Sequence, residues 1–283
     1  MKIVKPSIEV TFYMPESGEG PEQAIEMAGR TCYKSEDRID ETSAPGFVRM
    51  IRNRGHHAML EFGYATARII GDRGLTHELV RHRLASFAQE STRYCNYSKG
   101  KFQSEITVIR QPGIPEEHQK LWKQMMFDAE QSYLDLLKLG VKPEHARSVL
   151  PIGLKAEIVI GANLREWRHI FRMRCASSAH PIIRGVMFKA LRRFIEKMPE
   201  VYADLGDEFI PIRVGDVYES HGEALLVRVI EVHDPPESEP GKPGKYPYVV
   251  VEDVNSNSKN KIDLNVLGSK WTRVMLSNEP EVE

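Results

Sequence analysis

The sequence predicts an α/β (α+β) chain, in which a mixed sheet flanked by helices is followed by a small all-β module. Up to about residue 210, segments with helical spacing of apolar residues alternate with short β-branched runs. After Pro211 only short β-rich runs remain, at residues 214–232, 248–254 and 261–274, which is typical of a small barrel such as the SH3-like kind. We therefore place one domain at residues 1–212 and a second, of unknown role, at residues 213–283.

The elements of the first domain follow from local patterns. Strands are predicted at residues 3–12, 64–70 and 154–160, and helices at residues 21–30, 44–54, 72–81, 115–139, 143–151, 163–176 and 181–198. Asp72 and Asn163 are expected to cap the helices that follow them, and Gly140 to end the long helix. The apolar spacing of that long helix puts Leu121 and Met125 on its core face.

The composition excludes several classes of protein. A formal net charge of -1 gives no overall field for a nucleic acid or a membrane surface, so neither partner is expected. No apolar run approaches the roughly 18 residues of a membrane span, and the first ten residues resemble a strand, not a signal peptide. The three cysteines are far apart and form no CxxC, so we expect reduced thiols in a cytoplasmic protein.

The segment from Arg81 to Tyr94 concentrates polar chemistry. It holds three arginines, one histidine, two serines and one threonine in fourteen residues. Arginine binds phosphate and carboxylate through two parallel hydrogen bonds, and hydroxyl groups and the Gln89 amide add neutral donors and acceptors. The segment suits an anionic, heteroaromatic ligand such as a nucleotide. A solvated loop with surface charges has the same composition, so this alternative stays open.

A second candidate region is the helix at residues 163–176. Its apolar face carries Leu164, Trp167, Ile170 and Phe171, and its polar face carries Arg165, Arg168, His169 and Arg172. Arg174 falls within the apolar face, where a guanidinium is costly without a partner. Either the helix frays before Arg174 or this residue awaits an anionic partner, which is the interpretation we favour. Residues 163–194 hold seven arginines and one lysine against one glutamate, a net charge of +7 that suits nucleotides, a polyanion or a subunit interface.

Several common motifs are absent. His77 and Glu78 begin an HExxH pattern, but Arg81 stands where the second histidine is needed. There is no GxGxxG and no GxSxG. His56, His57 and Glu61 are possible metal ligands, but we interpret them as turn residues or ligand-stacking residues, so no metal is expected.

Four segments together resemble one family. Arg81-His82-Arg83, followed by seven residues and then Ser91-Thr92-Arg93-Tyr94, resembles the signature of the flavin-dependent thymidylate synthases. HHAMLE at residues 56–61, Ala146-Arg147 before VLP, and NLREWRHIFRMR at residues 163–174 resemble further motifs of that family, in the same order. The resemblance covers about residues 1–210. The chain departs from the usual pattern at five positions: Ala58, Phe62, Glu78, Ala88 and His169.

The resemblance implies synthesis of dTMP from dUMP with FAD, NADPH and methylenetetrahydrofolate, in a homotetramer whose sites are shared between subunits. It implies FAD contacts at His56, Ala58, Glu61, Arg81, His82, Arg83, Gln89, Asn163, Arg165 and His169. It implies dUMP contacts at Glu78, Arg81, Gln89, Glu90, Ser91, Thr92, Arg93, Arg147 and Arg174. Arg174 is the implied catalytic residue, contacting the uracil ring and favouring its N3-deprotonated form. Glu78 stands where a glutamine often lies near dUMP.

Alternatives remain at this point. Ser91 is a possible nucleophile, but an unactivated serine needs a base beside it, so we interpret it as a hydrogen-bonding residue. The activity can also be another flavin-dependent modification of a pyrimidine nucleotide, or NADPH oxidation without methylation. A hypothesis of a different class is a nucleic-acid-binding protein that uses the basic residues 163–194 and the β module.

Overall fold

The computed structural model describes residues 1–13, 20–209, 217–220, 226–233, 248–253, 259–263 and 271–275. They fall into two compact units. The first comprises Met1–Phe47 and Arg54–Ala190, and the second comprises Val48–Asn53 and the described residues from Leu191 onwards. The predicted combination of helices and strands is confirmed. The predicted domain boundary at residues 212–213 lies outside the described residues and stays a prediction.

The first unit contains an antiparallel sheet and a separate strand pair. Its strands are β1 (Lys2–Val4), β2 (Ser7–Tyr13), β3 (Tyr64–Asp72), β4 (Ser86–Gln89), β5 (Thr107–Ile109) and β6 (Lys155–Asn163). The sheet has the order β2-β3-β6-β4, and β1 pairs with β5 in parallel. The strand predicted at residues 3–12 is divided at Pro6, which has no N–H for a ladder. The short β4 and β5 were not predicted.

Most predicted helices are present. They are α1 (Pro21–Tyr33), α2 (Ser43–Asn53), α3 (Arg73–Leu79), α4 (Gln119–Lys138), α5 (Pro143–Ala146), α6 (Leu164–Arg174), α7 (Pro181–Lys197) and α8 (Pro199–Phe209), of which α8 was not predicted. Both predicted caps are confirmed: Asp72 Oδ1 accepts from the Leu75 N–H at 2.7 Å, and Asn163 Oδ1 accepts from the Glu166 N–H at 2.8 Å. Gly140, at φ +84°, follows the end of α4 as predicted. None of the described helices is long and apolar enough to cross a membrane.

The core of the first unit holds α6 against the sheet. Alternate residues of β3 and β6 are buried: Ala65, Ala67, Ile69, Ile158 and Ile160. Trp167 is fully buried, and its indole N–H donates to the Ala65 carbonyl at 3.1 Å. Burying a large apolar side chain stabilises a fold by about 2 kcal/mol or more. The orientation of α6, which carries several candidate site residues, is therefore fixed by its packing.

The prediction for α4 was wrong in one respect. Leu121 is 65% exposed and Met125 is 48% exposed, although the apolar spacing put both in the core. Tyr133 and Leu136, later in the same predicted stripe, do pack on the core. In the first half of the helix the inward positions are offset by one residue, at Trp122 and Met126, and Glu130 continues this buried side. That carboxylate is satisfied there because it accepts from the Ile106 N–H at 2.8 Å. A buried, hydrogen-bonded glutamate interrupts the apolar pattern, which is why the sequence indicated the neighbouring stripe.

The second unit contains the β-rich part of the chain. Its described strands are β7 (Val217–Ser220), β8 (Leu226–His233), β9 (Tyr248–Asp253), β10 (Lys259–Asp263) and β11 (Trp271–Met275). They form an antiparallel sheet in the order β10-β9-β8-β7-β11, which confirms β structure in all three predicted runs. Within this unit Arg49 donates two hydrogen bonds to Glu200, at 2.7 and 2.6 Å.

Candidate active site

The sheet topology brings two distant sequence segments together. β6 runs directly into α6 through the capping residue Asn163. β4 pairs with β6 so that Ser86 lies opposite Gly161, two residues before that cap. The turn that precedes β4 carries Arg81, His82 and Arg83. It therefore lies beside α6, although about 90 residues separate the two in sequence.

Arg174 is at the centre of this junction. Its Nε–H donates to His82 Nε2 at 3.0 Å, its Nη1 donates to Glu78 Oε2 at 2.8 Å, and its Nη2 donates to the Glu78 carbonyl at 2.8 Å. Its side chain is only 15% exposed. Glu78, a residue of the same chain, is the anionic partner that was predicted for Arg174. An arginine has five N–H donors, so two remain for a ligand.

His82 is held in one tautomer by this arrangement. A guanidinium can only donate, so His82 Nε2 accepts and the proton of the neutral ring is on Nδ1. Nδ1 faces Glu166 Oε1 at 3.5 Å. Burial, together with the charge of Arg174 and the neighbouring His169, lowers the pKa of His82 to about 4. The imidazole is therefore neutral at physiological pH and acts as a hydrogen-bonding link.

Glu166 is a buried carboxyl group in the same cluster. It lies in the first turn of α6, and burial raises its pKa, an effect that His169 partly opposes. The side chains of His82 and His169 are in edge-to-face contact, with ring centroids 5.5 Å apart. The ligand atoms of Glu166 and the two histidines all lie within 4.8 Å of one another, a composition also found in metal sites. However, the proton on His82 Nδ1 leaves that nitrogen no lone pair for a metal ion.

A second group of predicted residues lies along β4 and its continuation. The Gln89 amide donates to Thr76 Oγ1 at 3.0 Å, which links β4 to α3, the helix of Glu78. Glu90 Oε2 accepts from Lys155 Nζ at 2.8 Å. The negative charge of Glu90 is therefore balanced by Lys155, the first residue of β6. Lys155 was not among the predicted residues.

A third group surrounds Arg147. Its Nη1 donates to Thr92 Oγ1 at 3.2 Å, and its Nε donates to the Glu144 carbonyl at 3.2 Å, so the exposed guanidinium is fixed by neutral acceptors. Arg93 Nε lies 3.6 Å from Glu144 Oε2. Ser91 Oγ accepts from the Arg93 N–H at 3.3 Å, and no imidazole or carboxylate among the described residues contacts it. This favours a hydrogen-bonding role for Ser91 over a nucleophilic one.

The remaining predicted flavin-binding residues are mostly on the surface. Arg165 Nη1 donates to Glu61 Oε1 at 2.7 Å, in an exposed pair that joins the two predicted motifs. His56 Nδ1 lies 3.3 Å from the Tyr33 hydroxyl, and Ala58 is exposed. The exposed guanidinium groups of Arg81 and Arg83 make no hydrogen bond or ion pair with any residue that the structure describes. His56, His57 and Glu61 do not converge as metal ligands.

The basic stretch at residues 163–194 is not a continuous charged surface. Arg168, which the helical projection put on the polar face, is only 2% exposed. Arg174 is turned towards Glu78 and His82. The prediction for Arg168 was wrong because α6 is buried over a wider arc than its apolar residues indicate. Arg168 and Arg174 are therefore not presented to a nucleic acid that would bind across this stretch.

Glu166, Thr76, Glu144 and Lys155 were missed by the sequence analysis. The position of Glu166 in the sequence also fits a purely structural role, since a glutamate three residues after an N-cap is typical of a capping box. In the structure its backbone N–H does bind Asn163, whereas its carboxylate faces His82. Lys155 carried no signal, because its partner Glu90 is distant in sequence and becomes a neighbour only through the β4–β6 pairing.

Comparisons with known proteins identify the family of the chain. Residues 11–200 match the family model Thy1, described as thymidylate synthase complementing protein. A flavin-dependent thymidylate synthase of Corynebacterium glutamicum is 34% identical over 204 residues, which cover 66% of this chain and 80% of the relative. Those of Geobacter sulfurreducens and Pyrococcus abyssi are 31% identical over 196 residues (66% and 82%) and 32% identical over 184 residues (62% and 75%). The chain therefore belongs to the flavin-dependent thymidylate synthase family of enzymes.

Proposed function

We propose that the chain catalyses the reductive methylation of dUMP to dTMP, with methylenetetrahydrofolate as one-carbon donor and NADPH as reductant through FAD. The observation that carries this proposal is the Arg174–His82 hydrogen bond. It joins the RHR segment, whose family role is flavin binding, to the arginine whose family role is uracil recognition. A nucleotide ring and a flavin would thus be held by directly connected residues.

The residues present fit FAD. Arg81 and Arg83 offer exposed guanidinium groups that suit its diphosphate. Asn163 uses its amide oxygen in the α6 cap, which leaves its amide N–H groups to donate. His169 is exposed beside the buried His82. His56, Glu61 and Arg165 complete the set that would hold the cofactor. When bound, FAD supplies hydride transfer between NADPH and the one-carbon unit.

Substrate binding is divided between two groups of residues. Arg147, Arg93, Ser91 and Thr92 offer guanidinium and hydroxyl groups for the phosphate of dUMP. Gln89 and Glu90 precede Ser91 directly in the chain, and Gln89 contacts α3 through Thr76. The two remaining N–H donors of Arg174 would bind the uracil carbonyl oxygens. They stabilise the negative charge that develops on the ring as C5 becomes nucleophilic, and His82 and Glu78 prevent the guanidinium from reorienting.

We also propose a homotetramer with sites shared between subunits, working in the cytoplasm. Exposed apolar side chains next to the predicted site support the assembly: Leu84 is 79% exposed and Tyr94 is 78% exposed. A partner subunit covering them would also approach Arg83 and Arg93. The free thiols of Cys32, Cys95 and Cys175 suit a reducing compartment.

The direct test is product formation. The purified chain, supplied with FAD, NADPH, dUMP and methylenetetrahydrofolate, is expected to form dTMP and tetrahydrofolate in equal amounts. Omitting any one of the four should abolish dTMP formation. NADPH oxidation without dTMP would instead indicate a flavoprotein that does not methylate. Conversion of dUMP to another product would indicate a different pyrimidine modification.

A further inference from the structure

Glu166, His82 and Arg174 form a continuous chain of contacts. Glu166 and Arg174 are both on α6, in its first turn and at its last residue, roughly 12 Å apart along the helix axis. His82, from the turn before β4, contacts both: its Nδ1 is 3.5 Å from Glu166 Oε1, and its Nε2 is 3.0 Å from Arg174 Nε. One imidazole therefore connects the two ends of α6.

The carboxylate of Glu166 is directed at His82 and not at the helix cap. It makes no hydrogen bond to the Asn163 N–H, which a capping box would require; only the backbone N–H of Glu166 binds Asn163. The side chains of Glu166 and His82 are only 6% and 4% exposed. Among the residues that the structure describes, no lysine or arginine lies within 4.0 Å of this carboxylate. Because a buried carboxylate is costly without a partner, the contact with His82 needs an explanation beyond capping.

The two neighbours of His82 favour the same position for its proton. A proton on Nε2 would point at the Nε–H of Arg174, so that two donors would face each other. A proton on Nδ1 faces the Glu166 carboxylate, which accepts when it is ionised. Arg174 therefore needs the tautomer that Glu166 stabilises.

We propose that Glu166 is a positioning residue for the reaction, which keeps the His82 proton on Nδ1 so that Nε2 remains an acceptor for Arg174. The guanidinium then keeps the orientation that leaves two of its N–H groups free for the pyrimidine ring. Glu166 acts on Arg174 only through the imidazole, so Arg174 stays charged and can stabilise negative charge on the ring. The effect on turnover rests on the proposed function, whereas the tautomer of His82 is a property of the chain without ligands.

The tautomer can be measured by NMR of the apoprotein labelled with nitrogen-15 in its histidines. Ring nitrogens with and without a proton have well-separated chemical shifts, and the signals missing in His82→Asn identify His82. At about pH 8, well above the ordinary pKa of a carboxyl group, the wild type should carry the His82 proton on Nδ1. Glu166→Leu keeps a side chain of similar size and removes the acceptor, so the form protonated on Nε2 should appear. A Glu166→Leu spectrum with the Nδ1-protonated form alone would overturn the proposal.

Two further variants separate the acceptor from other effects of the substitution. Glu166→Gln keeps an oxygen acceptor and should keep the His82 proton on Nδ1. Glu200→Leu is the matched control, because Glu200 is also a buried glutamate in the first turn of a helix, α8, and pairs with Arg49. It should leave the His82 signals unchanged.

Turnover distinguishes positioning from a loss of stability. In FAD-loaded protein, Glu166→Leu should lower kcat by about 10- to 100-fold, the range found for outer-shell partners that orient a histidine. KM for dUMP should change little, since the orientation of Arg174 matters most when charge develops on the ring. Glu166→Gln should recover most of kcat. If kcat falls equally in the glutamine and leucine variants although only the former keeps the Nδ1 proton, turnover does not depend on the tautomer and the role is refuted.

Failure of the proposed function gives a different result. If the FAD-loaded wild type forms no dTMP, the proposed function fails, and the NMR comparison still decides on Glu166. A second His82 tautomer in Glu166→Leu, absent from Glu166→Gln, would then support the control of His82 by Glu166. Identical His82 signals in the wild type and Glu166→Leu would refute it independently of dUMP.

Discussion

The Nε–H of Arg174 donates to Nε2 of the buried His82 at 3.0 Å. This single bond connects the last residue of α6 to the turn before β4. It fixes the histidine tautomer and, with Glu78, the plane of the guanidinium. Preorganised donors of this kind need no rearrangement when charge develops on a ligand.

Loss of the guanidinium should remove turnover while keeping the fold. Arg174→Ala is expected to lower kcat/KM for dUMP by about 10²- to 10³-fold, as for other residues that stabilise a developing charge. Flavin content and circular dichroism should stay at wild-type values. Arg174→Lys should be nearly as defective, because an ammonium group cannot reproduce the planar fork. Wild-type turnover in either variant would contradict the assigned role.

Arg147 should affect binding more than chemistry. Arg147→Ala removes a charge-assisted contact that is the same in ground and transition states. The expected result is therefore a rise of about tenfold in KM for dUMP with little change in kcat. Arg110→Ala serves as the control, because Arg110 is an exposed arginine outside the predicted site. Equal effects of the two substitutions would mean that dUMP binding depends on the overall charge of the protein and not on a contact with Arg147.

The depressed pKa of His82 makes stability depend on pH. The folded-state pKa is about 4, below the ordinary value of 6.5. Between these values the unfolded chain takes up a proton that the folded chain does not, so this contribution to stability is lost as the pH falls from 6.5 towards 4. In urea unfolding of the apoprotein, the stability advantage of the wild type over His82→Asn should therefore shrink on acidification.

The groups that face His82 are Glu166, His169 and Arg174. These three groups are present in both proteins, so their contribution largely cancels in the comparison. A difference between wild type and His82→Asn that is independent of pH would show that the imidazole is not held neutral.

The cap of α6 can be tested apart from catalysis. Asn163→Ala should lower the free energy of unfolding of the apoprotein by about 1 kcal/mol, because the Glu166 N–H loses its acceptor. Asn163→Asp keeps an acceptor and should remain close to the wild type. If alanine and aspartate destabilise equally, the cap does not account for the role of Asn163 in stability.

Local patterns predicted the elements of the fold well. Asp72, Asn163 and Gly140 were identified because capping and helix termination depend on a few adjacent residues. The inward face of the first half of α4 was misjudged because Glu130 occupies a core position through long-range hydrogen bonds. Such a position is polar in the sequence and buried in the fold, and periodicity alone cannot identify it.

The candidate site could be predicted only in part. Arg174 was singled out from the sequence because a guanidinium on an apolar helix face requires a partner. Its partner Glu78 lies 96 positions away, and no local pattern pairs the two residues. Glu166 was missed for a similar reason, since its contact with His82 depends on how β4 and α6 meet beside β6.

The most direct test of a joined flavin and nucleotide site is the visible absorption spectrum of the purified, FAD-loaded chain during anaerobic reduction by NADPH. If Arg174 and His82 connect the two binding sites, adding dUMP should accelerate bleaching of the flavin band, and Arg174→Ala should lose that acceleration while still binding FAD. A chain that takes up no FAD, or a bleaching rate that dUMP leaves unchanged, would contradict a joined site.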